Sequence, residues 1–418
     1  MNGINQAMAE AARLTRTGQL HEATALIRRA LQGGIAPAAS PANADASADD
    51  IIDAEFTVIA PDPSATVGPD RADHKAQETA PPASTGRRKP ASLDALMGSL
   101  KNPLGKSAMR PEPDRSNPDV WAGGRFIGDV FTHPAGTRHY KLYIPGGHRG
   151  QALPLVVLLH GCTQNADDFA AGTRMNALAE REGFLVLYPE QANAANPSRC
   201  WNWFKASDQL RERGEPALLA GLTQHIVRTH GLDARRVYVA GMSAGGAMAM
   251  VLGATHPDLY AAIGVHSGLP YAAAHDLPSA LAAMRQDQPN LPGAMRGDDG
   301  NAILHPVPAI VFHGDRDATV HPGNGDRVLA QWTKAHAGGG RAKLRMRAQR
   351  GQVPGGHGYT RSRYHDPDDR VVLEHWLIHG AGHAWSGGSP SGSYTDPEGP
   401  DASDAMLRFF LGHARDPA

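Results

Sequence analysis

The pattern of apolar and polar positions divides the chain into three parts. Over residues 1–34, apolar residues recur at helical spacing with a break at Gly18 and an end at Gly33, which predicts a short helical hairpin. From 35 to 116 the chain is rich in Ala, Pro, Ser and Asp without a sustained period, so we expect a mostly disordered linker. From 117 to 418 the pattern predicts one globular domain.

Within this globular domain, short apolar runs alternate with helical patterns. The continuous apolar run Leu155–Leu159 is typical of a strand that is buried on both faces. Further strands and helices are predicted along the same stretch of chain. The strands are 140–144, 184–188, 236–240, 261–265, 309–312 and 371–378, and the helices include 167–182 and 218–230. Strands that alternate with helices indicate a doubly wound α/β sheet.

Composition narrows the classes of function. Lys and Arg number 41 and Asp and Glu 42, so the formal net charge of −1 provides no basic field for nucleic acid. No run approaches the ~18 apolar residues of a membrane span. The first residues show no apolar segment after a basic start, so we expect no secretory signal and a cytoplasmic protein. Two cysteines are too few for a disulfide scaffold or a Cys-rich zinc module.

The sequence Gly-Met-Ser-Ala-Gly at 241–245 matches the G-x-S-x-G nucleophile elbow. In this motif the serine lies on a tight turn between a strand and a helix, and small neighbours let the backbone pass close by. A predicted strand precedes the pentapeptide here, and an Ala- and Met-rich stretch follows it. The context predicts that Ser243 is a nucleophile, and the alternative is an ordinary Gly-rich turn.

A serine nucleophile needs a base to accept its proton and an acid to orient that base. Asp317 follows the predicted strand 309–312, where the sheet would present an acid, and Asp315 is the alternative. For the base we choose His383, which lies in a Gly-rich loop beyond the long strand 371–378. The other histidines near this strand are less well placed: His357, His365, His375 and His379.

The reaction also needs an oxyanion hole, which consists of two backbone N–H groups directed at the developing negative charge. The residue after the nucleophile, Ala244, supplies one of them. The other is expected in the loop after the strand Leu155–Leu159, where the Cys162 amide is the natural donor. The alternative is a plain turn at the end of the strand. All four catalytic elements thus occur in the order and strand context that one mechanism requires.

Several stretches of the chain resemble esterases of the polyhydroxybutyrate depolymerase family. They are Leu-His-Gly-Cys-Thr-Gln (159–164), Cys-Trp-Asn-Trp-Phe (200–204), Val-Tyr-Val-Ala-Gly-Met-Ser-Ala-Gly-Gly-Ala-Met (237–248) and Ser-Gly-Leu-Pro-Tyr (267–271). The resemblance covers about residues 120–415. It implies an α/β-hydrolase fold with a mostly parallel sheet. It also implies that the protein cleaves carboxylic esters, and Ser243, Asp317 and His383 match the family's triad. Related esterases act on feruloyl or acetyl groups of plant polysaccharides.

Two of these stretches contain the cysteines of the chain, Cys162 and Cys200. A bridge between them would close a loop of about 39 residues and contribute roughly 4 kcal/mol in the chain-entropy treatment. The missing export signal argues against a bridge, because reducing compartments disfavour disulfides, so both states stay open. Trp201 and Trp203 are candidates to line an acyl pocket, and the alternative is that both are core aromatics.

Together these patterns predict a serine esterase that works through an acyl-enzyme on short hydroxyalkanoate oligomers or other small esters. We expect no metal or organic cofactor, a small-molecule or oligomeric ester as the substrate, no nucleic-acid partner and no membrane span. The resemblance also implies an extracellular location as the alternative to the cytoplasm. Two other functions stay open. One is a feruloyl or acetyl-xylan type esterase, and the other is an interaction protein with an inert hydrolase domain.

Overall fold

The computed structural model of the protein describes residues 54–58, 123–285, 305–337 and 343–416. Residues 54–58 are described by their backbone. The predicted hairpin 1–34 lies outside these ranges, as does the predicted linker 35–116 apart from the five residues 54–58. The division into hairpin, linker and globular domain therefore stays a prediction.

Strands and helices alternate through most of the described chain. The strands are β1 (Ala54–Val58), β2 (Arg125–His133), β3 (Gly136–Ile144), β4 (Leu155–Leu159), β5 (Leu185–Pro189), β6 (Val237–Met242), β7 (Ala262–His266), β8 (Ala309–Gly314), β9 (Arg345–Gln352), β10 (Gly358–His365), β11 (Val371–Ile378), β12 (Trp385–Ser386) and β13 (Thr395–Asp396). The helices are α1 (Ala166–Thr173), α2 (Met175–Glu182), α3 (Gly214–Thr229), α4 (Ala244–Thr255), α5 (Leu277–Arg285), α6 (Gly323–Ala337) and α7 (Ala402–Leu411), with a 3₁₀ turn at Ala206–Gln209.

In the described residues, eleven strands form one sheet in the order β1-β9-β10-β11-β8-β7-β6-β4-β5-β3-β2. Neighbouring strands from β11 to β5 run parallel. Antiparallel strands extend the sheet at both ends, β3 and β2 at one end and β10 and β9 at the other. The predicted α/β-hydrolase fold with a mostly parallel sheet is confirmed.

The order of the central strands determines where a site can form. The chain passes from β4 outward to β5 and then returns to β6 on the other side of β4, so the winding direction reverses between β4 and β6. In open α/β sheets, ligands bind beyond the carboxyl ends of the strands at such a reversal. Gly161 follows β4 and Ser243 follows β6, so both lie at this position.

The core lies on both faces of the sheet. Alternate residues of β4 belong to opposite clusters: Leu155, Val157 and Leu159 pack with α3 to α6, and Val156 and Leu158 pack with α1, α2 and α7. Because every residue of β4 is buried, an uninterrupted apolar run is the sequence that suits it. No helix in the described parts of the chain combines the length and the apolarity that a membrane crossing takes.

The single helix predicted over 167–182 is wrong, because α1 ends at Thr173 and α2 begins at Met175. Arg174 between them has a left-handed backbone with φ of 55°, and its guanidinium bonds Asp401 at 2.9 Å. The end of α1 also packs closely on a later loop, since a Cβ at Gly172 would lie 2.9 Å from Thr395 Cγ2. Tertiary contacts therefore break the helical pattern here.

Candidate active site

Ser243 lies on a sharp turn between β6 and α4. Its backbone has φ of 58° and ψ of −120°, a conformation that is costly for a residue with a side chain. The Ser243 amide donates to His266 O at 2.9 Å, which holds the turn against β7. The turn requires glycine at two neighbouring positions. A Cβ at Gly245 would lie 2.0 Å from Leu159 O, and a Cβ at Gly241 would lie 2.4 Å from the carbonyl carbon of Gly245. This is the geometry of a nucleophile elbow.

Asp317 lies in the turn after β8 and is buried. Its Oδ1 accepts hydrogen bonds from the amides of Thr319 (2.9 Å) and Val320 (2.8 Å), and its Oδ2 accepts one from His383 Nδ1 at 2.7 Å. Burial alone would raise the pKa of Asp317. The charge of His383 and the hydrogen bonds from His313 and His383 outweigh burial and hold this pKa well below its usual value. The carboxylate is therefore ionised at neutral pH.

His313 is a second histidine beside this carboxylate. Its Nε2 lies 2.9 Å from Val320 O and 3.4 Å from Asp317 Oδ2. Both neighbours are acceptors, so Nε2 carries the proton. His313 thus holds the turn that presents Asp317, a role that the sequence analysis missed.

The alternative acid, Asp315, belongs to a different and more exposed pair. Its Oδ2 lies 3.0 Å from His379 Nδ1, and its Oδ1 accepts from the Gly380 amide at 2.7 Å. His379 Nε2 in turn lies 2.9 Å from Thr360 Oγ1. Asp315 and His379 therefore satisfy each other's hydrogen-bonding groups at a position away from Ser243.

The remaining candidate histidines do not line the cleft at Ser243. His357 pairs with Asp396 at 2.9 Å, and His365 pairs with Asp369 at 3.2 Å. His375 is buried within β11, where burial lowers its pKa to about 3. Of the five histidines considered from the sequence, His383 is the one that lines the cleft at Ser243.

The loop after β4 is held by His160. The His160 Nδ1 lies 2.8 Å from Gly161 O, and its Nε2 lies 3.1 Å from the Gln191 amide nitrogen. A carbonyl only accepts and an amide only donates, so Nδ1 carries the proton and Nε2 is the acceptor. In a trans peptide the C=O and the next N–H point in opposite directions, so fixing Gly161 O also fixes the Cys162 N–H. Ala244 is the first residue of α4, so its N–H group is one of those in the first turn that have no intrahelical partner.

A disulfide joins Cys162 to Cys200 and ties this loop to the segment 200–204. Trp201 is fully buried and donates from Nε1 to His160 O at 3.1 Å, so it supports the loop from behind. Trp203 lines a pocket beside Ser243, whereas Trp201 does not. Of the two tryptophans considered from the sequence, Trp203 borders this pocket and Trp201 packs behind the loop after β4.

A buried carboxylate anchors the same segment. Glu215 accepts from the Asn202 amide at 2.7 Å and from Asn202 Nδ2 at 2.8 Å, and it pairs with Arg138 at 3.2 Å. Burial raises the pKa of Glu215. Glu215 is not identified from the sequence, because its partners Asn202 and Arg138 lie on a distant loop and on β3.

Two cavities meet at Ser243. We call the first the catalytic cleft, and it is lined by Gly161, Cys162, Gln164, Met242, Ser243, His383 and Tyr394. We call the second the apolar pocket, and it is lined by Cys162, Cys200, Trp203, Phe204, Ser243, Ala244, Leu269, Leu277, Ala280, Met284 and Val320. The arrangement brings together a strained serine, a histidine bonded to an ionised carboxylate, and two backbone N–H groups.

The fold is that of the α/β-hydrolases. It is similar to the structure of an acetyl xylan esterase from Aspergillus awamori, with a TM-score of 0.52 and 19% identity over 69% of this chain and 99% of that one. Residues 138–347, half of the chain, match the Esterase PHB depolymerase family. The chain belongs to this family.

Two curated relatives are depolymerases by name. Poly(3-hydroxyalkanoate) depolymerase C of Paucimonas lemoignei is 35% identical over 215 residues, 50% of this chain and 51% of that protein. Poly(3-hydroxybutyrate) depolymerase of Ralstonia pickettii is 30% identical over 291 residues, 66% of this chain and 56% of that protein. The chain thus spans about half the length of the curated relatives that it matches.

Proposed function

We propose that this protein is a serine carboxylesterase that hydrolyses short hydroxyalkanoate oligomers or other small esters through an acyl-enzyme. One observation carries the proposal. His383 Nδ1 bonds Asp317 Oδ2 at 2.7 Å, and His383 lines the same cleft as Ser243, which lies on a nucleophile elbow. The membership of the family supports the same chemistry.

In the first step, Ser243 Oγ attacks the ester carbonyl carbon and its proton passes to His383 Nε2. The N–H groups of Cys162 and Ala244 stabilise the negative charge that develops on the carbonyl oxygen. Asp317 stays ionised throughout, because its pKa lies well below its usual value, and it stabilises the imidazolium. This step forms the Ser243 Oγ–carbon bond.

The tetrahedral intermediate then collapses. The bond to the alcohol oxygen breaks, and His383 transfers its proton to that oxygen, so the alcohol leaves and an acyl-enzyme remains. Water repeats the sequence, with His383 accepting its proton, and releases the carboxylic acid and free Ser243.

The disulfide gives evidence on the cellular location of the protein. Bridges persist in oxidising compartments and are rare in reducing ones. The Cys162–Cys200 bridge therefore supports an extracellular location, which the family resemblance also implies.

The test is hydrolysis of p-nitrophenyl butyrate by the full chain and two matched serine variants. Ser243→Ala should lower kcat by roughly 10⁴-fold or more, because the covalent step is lost. Ser267→Ala is the control, since Ser267 is also a buried serine beside a histidine, 3.2 Å from His266 Nδ1, and it should retain most activity. A wild-type chain without turnover would favour the inert interaction protein, and an active Ser243→Ala variant would refute the proposal.

A further inference from the structure

The loop after β4 forms a turn from Gly161 to Gln164, and the backbone amides of this turn differ in what they bond. The Gln164 amide donates to Gly161 O at 3.3 Å, and the Thr163 amide donates to Ser198 O at 2.8 Å. Among the residues that the structure describes, none accepts a hydrogen bond from the Cys162 amide. This amide is therefore free to bind the oxygen of a substrate.

The Gly161 amide, by contrast, is occupied by a side chain of the same turn. It donates to Gln164 Oε1 at 2.9 Å, and the Gly161 carbonyl oxygen lies 2.8 Å from His160 Nδ1. Gly161 is thus held at its N–H by Gln164 and at its C=O by His160. The Cys162 N–H belongs to the same peptide plane as that C=O, so its direction depends on both bonds.

The turn lies against the nucleophile elbow. A Cβ at Gly161 would lie 3.7 Å from Ser243 Cβ and 3.6 Å from Met242 O. A glycine rotates about its backbone bonds more freely than other residues do, so the backbone of Gly161 needs to be fixed by its neighbours. The direction of the Cys162 N–H matters, because a donor of an oxyanion hole must lie about 2.7–3.1 Å from the charged oxygen.

The side-chain amide of Gln164 has a fixed orientation. Gln164 is buried, and its Nε2 donates to Asp168 Oδ2 at 2.9 Å and to Ser393 O at 3.1 Å. Because both partners are acceptors, the NH₂ group faces them and Oε1 faces Gly161. Asp168 is held in turn, since its Oδ1 accepts from the Ser393 amide at 2.8 Å and its own amide donates to Asn165 Oδ1 at 2.9 Å. Helix α1 and the loop between β12 and β13 thus orient Gln164 together.

We propose that Gln164 is a positioning residue for the oxyanion hole. By accepting from the Gly161 N–H, it fixes the backbone that directs the Cys162 N–H at the substrate oxygen. The inference rests on the function proposed above, because it requires acyl transfer at Ser243. Changes at Gln164 should therefore weaken the transition state, in which charge develops on that oxygen, more than they weaken substrate binding.

The first experiment measures hydrolysis of p-nitrophenyl butyrate by the full chain carrying Gln164→Leu, which removes both the acceptor and the donor. We expect kcat to fall by about 10- to 100-fold, which is less than the ~10²–10³-fold loss on removing a whole donor, and KM to change by less than about threefold. Gln331→Leu is the matched control, because Gln331 Oε1 also accepts from a backbone amide, that of Tyr271, at 2.9 Å, and Gln331 does not line the catalytic cleft. It should keep kcat within about twofold. A folded Gln164→Leu variant with the kcat of the wild-type chain would overturn the proposal.

The second experiment uses Gln164→Glu, whose dependence on pH a merely structural role would not produce. The introduced carboxylate loses the donors to Asp168 and Ser393, and burial and the charge of Asp168 raise its pKa. Once protonated, it has one O–H group for Asp168 and one carbonyl oxygen for Gly161, as the Gln amide has. The ratio of its kcat to that of the wild-type chain should therefore rise by at least about fivefold from pH 8 to pH 6. The ratio for Gln164→Leu should stay constant.

The ratio isolates the introduced acid. Asp168 bonds the side chain at this position, and His383 and Tyr394 line the same cleft, but the wild-type chain contains all three groups. Gln164→Glu also preserves the size of the side chain, so it decides the question even where Gln164→Leu does not fold. A ratio for Gln164→Glu that is independent of pH would contradict the proposal.

The outcomes separate this inference from the proposed function. If Ser243→Ala is inactive while both Gln164 variants keep the wild-type kcat at pH 8, the inference alone is wrong. If Ser243→Ala hydrolyses the ester as fast as the wild-type chain does, the proposed function fails and the inference fails with it.

Discussion

Three buried histidines should make the folded protein sensitive to mild acid. Burial lowers the pKa of His266 to about 3, that of His375 to about 3 and that of His256 to about 4. An unfolded histidine has a pKa near 6.5. As the pH falls below about 6.5, the unfolded chain binds protons that the folded chain does not, so stability decreases until the pH reaches the folded values. The Asp317 carboxylate contributes nothing in this window, because it would be ionised in both states above about pH 4.

The magnitude follows from proton linkage. At pH 5, each of these histidines favours unfolding by about 2 kcal/mol relative to high pH, because only the unfolded form is largely protonated. From pH 7 to pH 5 the three together lower the free energy of unfolding by about 5 kcal/mol. This loss is comparable to the whole stability of many domains, so activity below about pH 5 should be limited by unfolding.

The assay is urea denaturation of the full chain at pH 7 and at pH 5. His375→Gln should reduce the difference between the two free energies of unfolding by about 2 kcal/mol. His275→Gln is the matched control, because the His275 side chain is 79% exposed, and it should leave the difference unchanged. A wild-type difference below about 1 kcal/mol, or an unchanged difference in the His375 variant, would show that these buried histidines do not make the fold sensitive to acid.

Three further predictions concern the site. Asp317→Asn should lower kcat by about 10⁴-fold in a p-nitrophenyl ester assay while Asp315→Asn stays within about twofold, and the reverse ranking would transfer the acid role to Asp315. His160→Asn places an amide donor near the position of Nδ1, whereas His160→Gln places its amide near the position of Nε2. The Asn variant should therefore have a kcat about tenfold higher than that of the Gln variant. Equal values would show that His160 does not position the Cys162 amide. Replacing both Cys162 and Cys200 with serine should lower the free energy of unfolding by roughly 4 kcal/mol, since the bridge spans 38 positions. A thermal scan should then show a fall in Tm of roughly 10 °C, and an unchanged Tm would show that the disulfide does not stabilise the fold.

The central strands could be predicted because burial on both faces leaves a plain signature in the sequence. The strand Leu155–Leu159 and the strand Val371–Ile378 have the bounds that their apolar runs predict. The strands β2, β9 and β10 were not predicted, because they lie toward the ends of the sheet and keep charged residues along their partly exposed faces. Arg345–Gln352, for example, shows no apolar run at all.

The residues of the candidate site also divide into those that the sequence identifies and those that it does not. Ser243, Asp317 and His383 each follow a predicted strand in a fixed chain order, so local motifs are enough to propose them as a triad. The role of His160 is not evident from the sequence, because its partner is distant along the chain. His160 depends on Gln191, 31 positions away, and no local pattern marks such a pair.

The nucleophilic role of Ser243 is tested most directly by covalent labelling of the full chain with a fluorophosphonate, followed by peptide mass spectrometry. A serine becomes reactive toward this reagent when a neighbouring base accepts its proton and N–H groups stabilise the charge on the adduct. We expect one label per chain, located on Ser243, and loss of the label in the Ser243→Ala and Asp317→Asn variants. A folded wild-type chain that takes no label, or a label on any other serine, would show that Ser243 is not the nucleophile.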